Sequence, residues 1–430
     1  MNSLTAMRVF VTVSSIGIVL FLLYSIVFGH ISFQWMCMTN NTERSFLDYF
    51  KHLLFSADPT HLYENATGEW GCFPPFIYLL YSLMYNMTVF LGITPESWKE
   101  LMLVDEALTV FIYYSVIVLV SMLLAIQLWQ KKKGAFSLFL CLILSAPFFA
   151  GIERGNSVIL VFVFLLFVLK WRNEESRIKR ELALILIAVS AAIKIYPAVF
   201  GLLYIKEKRW NDAVRLLIYG IAFFFLPFLS FGGINGFQHW LSNVDNTLLT
   251  YSVGRIEYIR GLVMTASYIT TKSTADYLAL VLPNIYLILM MTLFFLTTDS
   301  YRAVFYLCAM MTFYPSNAFR YTLCYLAVPL VMYLMEHGEE KVSGKLQFTE
   351  MICFGLLFTV PTLFGLFTNF NGLMYPQNDR LTYVEFRLYI VAYLILGMIV
   401  GHELVEIFKY KRIDRNLLKN VGSHLEDANV

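Results

Sequence analysis

Three short groups of residues in this 430-residue chain have the side chains for chemistry. In Phe46-Leu47-Asp48-Tyr49-Phe50 a carboxylate stands inside an amphipathic aromatic stretch that follows the first apolar run. An acid so placed lies where lipid headgroups meet water, and there it can take a proton from a substrate hydroxyl. A solvated charge or a helix cap is the plainer alternative for Asp48. In Glu153-Arg154-Gly155-Asn156 an acid and a cation adjoin a turn-forming glycine and a helix-capping asparagine. Glu153 fits either a second acid of the same site or a local ion pair with Arg154, and Asn156 fits a cap for the helix that follows. In Lys194-Ile195-Tyr196-Pro197 a lysine interrupts an apolar run. A cation at membrane depth is costly without an anionic partner, which makes Lys194 a candidate for binding a phosphate. Arg255 and Arg320, single arginines in other expected outer connections, are further candidates for an anionic group.

These residues must be positioned by membrane helices. The chain is 58% hydrophobic and 14% charged, whereas a soluble domain carries about 25% charged residues. A net charge of +2 gives no basic domain for a nucleic-acid partner. The apolar runs are too long, and too apolar on all sides, for the alternating strands of a membrane barrel. The expectation is an all-α, polytopic integral membrane protein with about 11–13 membrane helices, short or re-entrant ones included. Its expected parts are a first, uncleaved helix over 9–28, a large first extracytoplasmic loop over 29–102, and a helical core over 103–231. A second outer segment over 232–276, C-terminal helices over 277–408 and a cytoplasmic tail over 409–430 complete it.

Orientation follows from lysine and arginine. Arg8, Lys131 to Lys133, the segments Lys170 to Arg180 and Lys206 to Arg215, and the tail are basic, and positive loops stay cytoplasmic. Both termini are then inside, in a multi-pass plasma-membrane protein. Only one net crossing fits between Phe28 and Lys131, so the run opened by Phe73-Pro74-Pro75 is expected to be short or re-entrant. Residues 182–205 lie between two basic clusters and are too few to cross twice. They are expected to form a hairpin broken near Lys194, the alternative being one full helix with Lys194 snorkelling.

Asp48-Tyr49-Phe50, Ser56-Ala57-Asp58-Pro59, Phe73-Pro74-Pro75, Arg154-Gly155-Asn156 and Ala192 to Pro197 occur in an order and spacing that resembles glycosyltransferase family 87, of the GT-C superfamily. The later half is similar only loosely. At Tyr314 to Tyr321, Phe319 and Arg320 stand where the family often has an aromatic residue and a histidine. The resemblance implies inverting transfer of a hexose, with mannose expected, from a polyprenyl-phosphate sugar. The acceptor it implies is a lipid-linked or cell-envelope glycan on the extracytoplasmic face, and the membrane lipids are its surroundings. It casts Asp48 as general base and Glu153 as a second acid, with Lys194, Arg154, Asn156, Arg255, Arg320 and Tyr49 around the substrate. No cofactor is required, although a divalent cation bridging Asp48 and Glu153 is compatible with the pattern. A disulfide between Cys37 and Cys72 would close the first outer loop in an oxidising compartment, and two thiols are the alternative. The other function classes are a lipid-linked-oligosaccharide flippase or transporter and a polysaccharide polymerase. A transporter more often repeats its broken helices in both halves, and only one break, at Lys194 to Pro197, is evident in the sequence.

Overall fold

A computed structural model describes residues 3–28, 45–66, 70–89, 97–129, 134–250, 259–267, 272–315, 319–336, 344–359 and 389–409. Every regular element among them is helical. This is the outcome for apolar chain with no water to bond its backbone, since a helix satisfies its own N–H and C=O groups. The N-terminal part runs through α1 (Ser3–Phe28), α2 (Leu47–Phe55), α3 (Pro75–Val89), α4 (Asp105–Leu128), α5 (Ala135–Ile143), α6 (Ala146–Arg154), α7 (Val158–Trp171) and α8 (Arg177–Ile193). There follow α9 (Leu202–Lys206), α10 (Trp210–Phe225), α11 (Gly233–Thr250), α12 (Ile259–Ser267), α13 (Lys272–Leu296), α14 (Ser300–Phe313), α15 (Ala327–Glu336), α16 (Gly344–Leu357) and α17 (Tyr389–Lys409).

Five of these helices are long and apolar enough to cross a membrane: α1, α4, α10 with its 3₁₀ continuation to Ser230, α13 and α17. Their outer faces expose Val19, Leu22, Ile117, Val120, Leu217 and Ile288. Apolar surface on that scale belongs against lipid. The protein is therefore an integral membrane protein. The other apolar runs of the sequence hold shorter or broken helices packed inside this shell. Every residue of α14 from Tyr301 to Phe313 is buried. Ala135 to Ala150 reads as one run in the sequence, yet α5 and α6 meet at 66°. The helix restarts at Ser145-Ala146-Pro147, where the proline needs no backbone donor. Counted as one broken span, that pair would be a sixth.

Helices α7 and α8 set the two ends of the site-bearing core. They are joined by a tight turn and pack antiparallel, so Asn156 before α7 and Lys194 after α8 lie at the same end. Beyond Lys194 the chain returns through a 3₁₀ segment, Tyr196–Gly201, and α9. It comes back to the start of α8, where Glu207 pairs with Arg172 and Arg209 donates to the Arg172 carbonyl at 3.0 Å. Residues 177–207 are thus a hairpin with unequal arms and Lys194 at its tip. The first arm is longer than half a helix, with 17 residues, about 25 Å at ~1.5 Å per residue. A second polar clamp joins α14 to α17: Arg302 donates to Glu403 at 2.8 Å and to Glu406 at 2.6 Å. Arg302→Met strips the buried Glu403 of its counter-charge, and we expect a loss of about 3 kcal/mol, measured as earlier thermal unfolding in detergent.

Candidate active site

The site is built on α2. Asp48 and His52 are one turn apart on it and share a face, and both are buried, at 5% and 2% exposure. The helix is started by Phe46, whose φ of 59° is left-handed and unusual for a bulky residue. Its N–H donates to the Glu153 carbonyl at 2.6 Å, which ties the start of α2 to the end of α6. Tyr49 points elsewhere. Its ring packs against Phe111 and Tyr81, and its hydroxyl donates to Met84 Sδ at 3.5 Å. The residue expected near substrate is placed as a packing anchor that fixes α2 on α3 and α4.

The turn between α6 and α7 comes to meet Asp48. Arg154, the last residue of α6, donates from Nη2 to Asp48 Oδ1, and Asn156 Nδ2 donates to Asp48 Oδ2 at 2.7 Å. Asn156 serves two functions, because its Oδ1 also accepts the Val158 N–H at 3.1 Å and caps α7. Arg154 is thereby paired with an aspartate 106 residues away. Gly155 makes the approach feasible: its φ is 63°, and a Cβ there would lie 2.6 Å from Tyr49 Cβ. Gly155→Ala should cost about 2 kcal/mol, from the left-handed backbone and the overlap together. It should also lower activity at least tenfold by moving Arg154 and Asn156 off Asp48. Gly155→Asn tolerates the dihedral but keeps the clash, so an equal loss in that variant identifies the close approach as the cause.

Lys194 comes in from the hairpin tip. It ends α8 in extended conformation, 8% exposed, with its ammonium 4.2 Å from the centroid of the Phe73 ring and 5.8 Å from that of Tyr321. Phe73 heads the Phe-Pro-Pro segment that opens α3. Among the described residues no carboxylate pairs with Lys194 Nζ and no acceptor bonds to it. This buried ammonium lies against ring faces and feels the Asp48 carboxylate without touching it, so it retains capacity for a contacting anion.

Residues 73–316 match the sequence profile of glycosyltransferase family 87 over more than half of the chain. The chain belongs to glycosyltransferase family 87. No curated protein and no solved structure matches it significantly. The matched stretch holds Phe73, Arg154, Asn156 and Lys194, and it begins after Asp48, which joins the site through its hydrogen bonds to Arg154 and Asn156.

Arg320 and Glu153 are the other candidates among the described residues. Arg320 is buried at the start of the 3₁₀ segment Arg320–Leu326, which packs on α6, and its neighbour Tyr321 stands beside both Lys194 and Arg154. Glu153 is buried at the end of α6 and supplies the carbonyl that holds Phe46. Arg255 and Cys37, the expected partner of Cys72, lie outside the described residues. Among the described residues no three histidine, cysteine, aspartate or glutamate side chains come together as a metal would require.

His52 was not singled out from the sequence. Its ring lies against Phe73, at 4.4 Å between centroids, and stacks on Tyr81 at 5.5 Å. Burial pushes its imidazole down to about 3, with Lys194, Lys51 and Arg154 adding to the shift and Asp48 opposing it, so the ring is uncharged near neutral pH. The available signal was its spacing: His52 follows Asp48 by four residues on one short amphipathic helix.

Proposed function

We propose that this family 87 glycosyltransferase takes a hexose, with mannose as the expected sugar, from a polyprenyl-phosphate donor. The acceptor is a hydroxyl of a lipid-linked or cell-envelope glycan. The observation that carries the proposal is Lys194, a buried cation without an anionic partner among the described residues, on the same aromatic residue as the Asp48 helix. A lipid phosphate is an anion at membrane depth and is complementary to that cation. Displacement of polyprenyl phosphate at the anomeric carbon releases a stable anion. The leaving group therefore needs positive charge and no general acid, in contrast to glycoside hydrolysis.

Asp48 is the general base of this reading. Each of its oxygens accepts one donor and keeps a second lone pair with which to take the hydroxyl proton, while Arg154 and Asn156 keep the carboxylate in place. Glu153 orients the acceptor, and a single displacement inverts the anomeric configuration. The site end of α7 and α8 is opposite the end bearing Arg172, Arg177, Lys179, Arg180, Lys208 and Arg209. Basic loops stay in the cytoplasm, which supports a site on the extracytoplasmic face of the plasma membrane with both termini inside.

A donor panel tests the proposal. Proteoliposomes are given labelled polyprenyl-phosphate hexoses or nucleotide sugars, each with a lipid-linked acceptor. Label is expected to move from polyprenyl-phosphate mannose. Transfer from nucleotide sugars alone contradicts the proposal, and so does passage of intact lipid-linked glycan without transfer, which is the transporter's behaviour.

A further inference from the structure

The hydrogen bonds of His52 fix which of its nitrogens carries the proton. Tyr78 donates its only hydroxyl hydrogen to the Trp70 carbonyl at 2.8 Å. The same hydroxyl oxygen lies 3.1 Å from His52 Nδ1, and with its hydrogen committed it can only accept there. Nδ1 is therefore the protonated nitrogen, and Nε2 is a bare lone pair on an uncharged ring. Nε2 is buried and has no hydrogen-bond partner among the described residues. Leaving a buried acceptor unmade costs about 1–3 kcal/mol, a cost tolerated where a ligand supplies the missing donor.

The surroundings indicate which ligand. His52 sits among the charges of Asp48, Lys194, Lys51 and Arg154. It shares the Phe73 ring with Lys194, the two approaching its centroid to 4.4 and 4.2 Å. A sugar whose phosphate rests on Lys194 and whose anomeric carbon faces the acceptor near Asp48 presents its hydroxyls to the groups between them. A fixed, neutral acceptor suits a hydroxyl. It would be wasted on a phosphate, which has no proton to donate near neutral pH.

We infer that His52 is a substrate-binding residue of this site, its Nε2 accepting a hydrogen bond from a hydroxyl of the donor sugar, with Tyr78 as the positioning residue that holds the ring in the required tautomer. The inference rests on the polyprenyl-phosphate-sugar reading given above and adds the contact by which that site distinguishes one hexose from another.

The test uses His52→Asn and a set of polyprenyl-phosphate hexoses each lacking one hydroxyl. Asparagine keeps a donor near the position of Nδ1 for Tyr78 and has no acceptor at the position of Nε2. The native protein should lose about tenfold in kcat/KM on one deoxy donor. His52→Asn should lose about tenfold on the complete donor and nothing further on that deoxy donor. Tyr78→Phe leaves His52 in place but removes the acceptor for Nδ1–H, and it should blunt the same discrimination; it carries the test if His52→Asn does not fold. A His52→Asn protein, or a Tyr78→Phe protein in its stead, that discriminates among the deoxy donors as the native protein does overturns the inference and leaves the donor reading intact. A rise confined to the KM of the acceptor overturns the assignment to the donor sugar. A native protein that uses no polyprenyl-phosphate hexose at all removes the donor reading and this inference with it.

Discussion

If Asp48 is the general base proposed above, Asp48→Asn is expected to lower the turnover of glycosyl transfer by about 10³-fold, within the 10²–10⁴ that a positioned base contributes, and to leave the donor KM within a few-fold of native. Asparagine is nearly the same shape and can accept from Arg154 through its own oxygen. It cannot take a proton from the acceptor hydroxyl. The substitution also leaves the Arg154 guanidinium buried without its counter-charge, and breaking such a pair costs about 3–5 kcal/mol. The experiment therefore measures kcat, KM and thermal stability on the same preparations. A double variant, Asp48→Asn with Arg154→Met, removes the stranded charge and should recover stability without activity. Recovery of activity in the double variant would mean that Asp48 acts only through the fold.

Lys194→Met has two effects of opposite sign. The ammonium is buried against Phe73 and Tyr321, and cation–π contacts worth about 2 kcal/mol offset only part of a desolvation cost of several kcal/mol. Methionine fills similar space without the charge, so the donor-free protein should become more stable, by about 1–3 kcal/mol. If the donor is the lipid phosphate proposed above, donor binding should weaken by about 100-fold, because the phosphate would lose its cation both in the complex and in the transition state. A lysine kept only for packing predicts lower or equal stability and unchanged donor affinity. Thermal shift with and without polyprenyl phosphate separates these outcomes, since only the native protein should be stabilised by the ligand.

The parts of this account that were legible in the sequence are those carried by local chemistry. The hairpin tip showed as a lysine followed by Tyr196-Pro197 between two basic segments, and Asp48 as an acid among aromatic residues after an apolar run. The rest depends on contacts between distant segments. The sequence leaves Arg154 open to pairing with the adjacent Glu153, and the structure bonds it to Asp48, brought to it by the tie between Phe46 and Glu153 and by the close approach at Gly155. The resemblance casts Tyr49 around the substrate, whereas its ring packs on α4, because adjacent residues on a helix point in different directions. Apolar runs such as Val158 to Leu169 read as membrane spans because a helix buried in protein is as apolar on all sides as one in lipid. Only packing distinguishes the short inner helices from the five long outer ones. The breaks at Leu144-Ser145 and at Lys194 both fall in the half of the chain that builds the site.

The most direct measurement of the central claim is a single-turnover reaction in proteoliposomes. It starts from polyprenyl phosphate carrying labelled mannose and a lipid-linked acceptor, and follows the native protein, Asp48→Asn and Lys194→Met. The account predicts transfer of label by the native protein with inversion at the anomeric carbon. It predicts normal donor binding with almost no transfer in Asp48→Asn, and weak donor binding in Lys194→Met. Transfer at the native rate by Asp48→Asn, or native donor affinity in Lys194→Met, would contradict it.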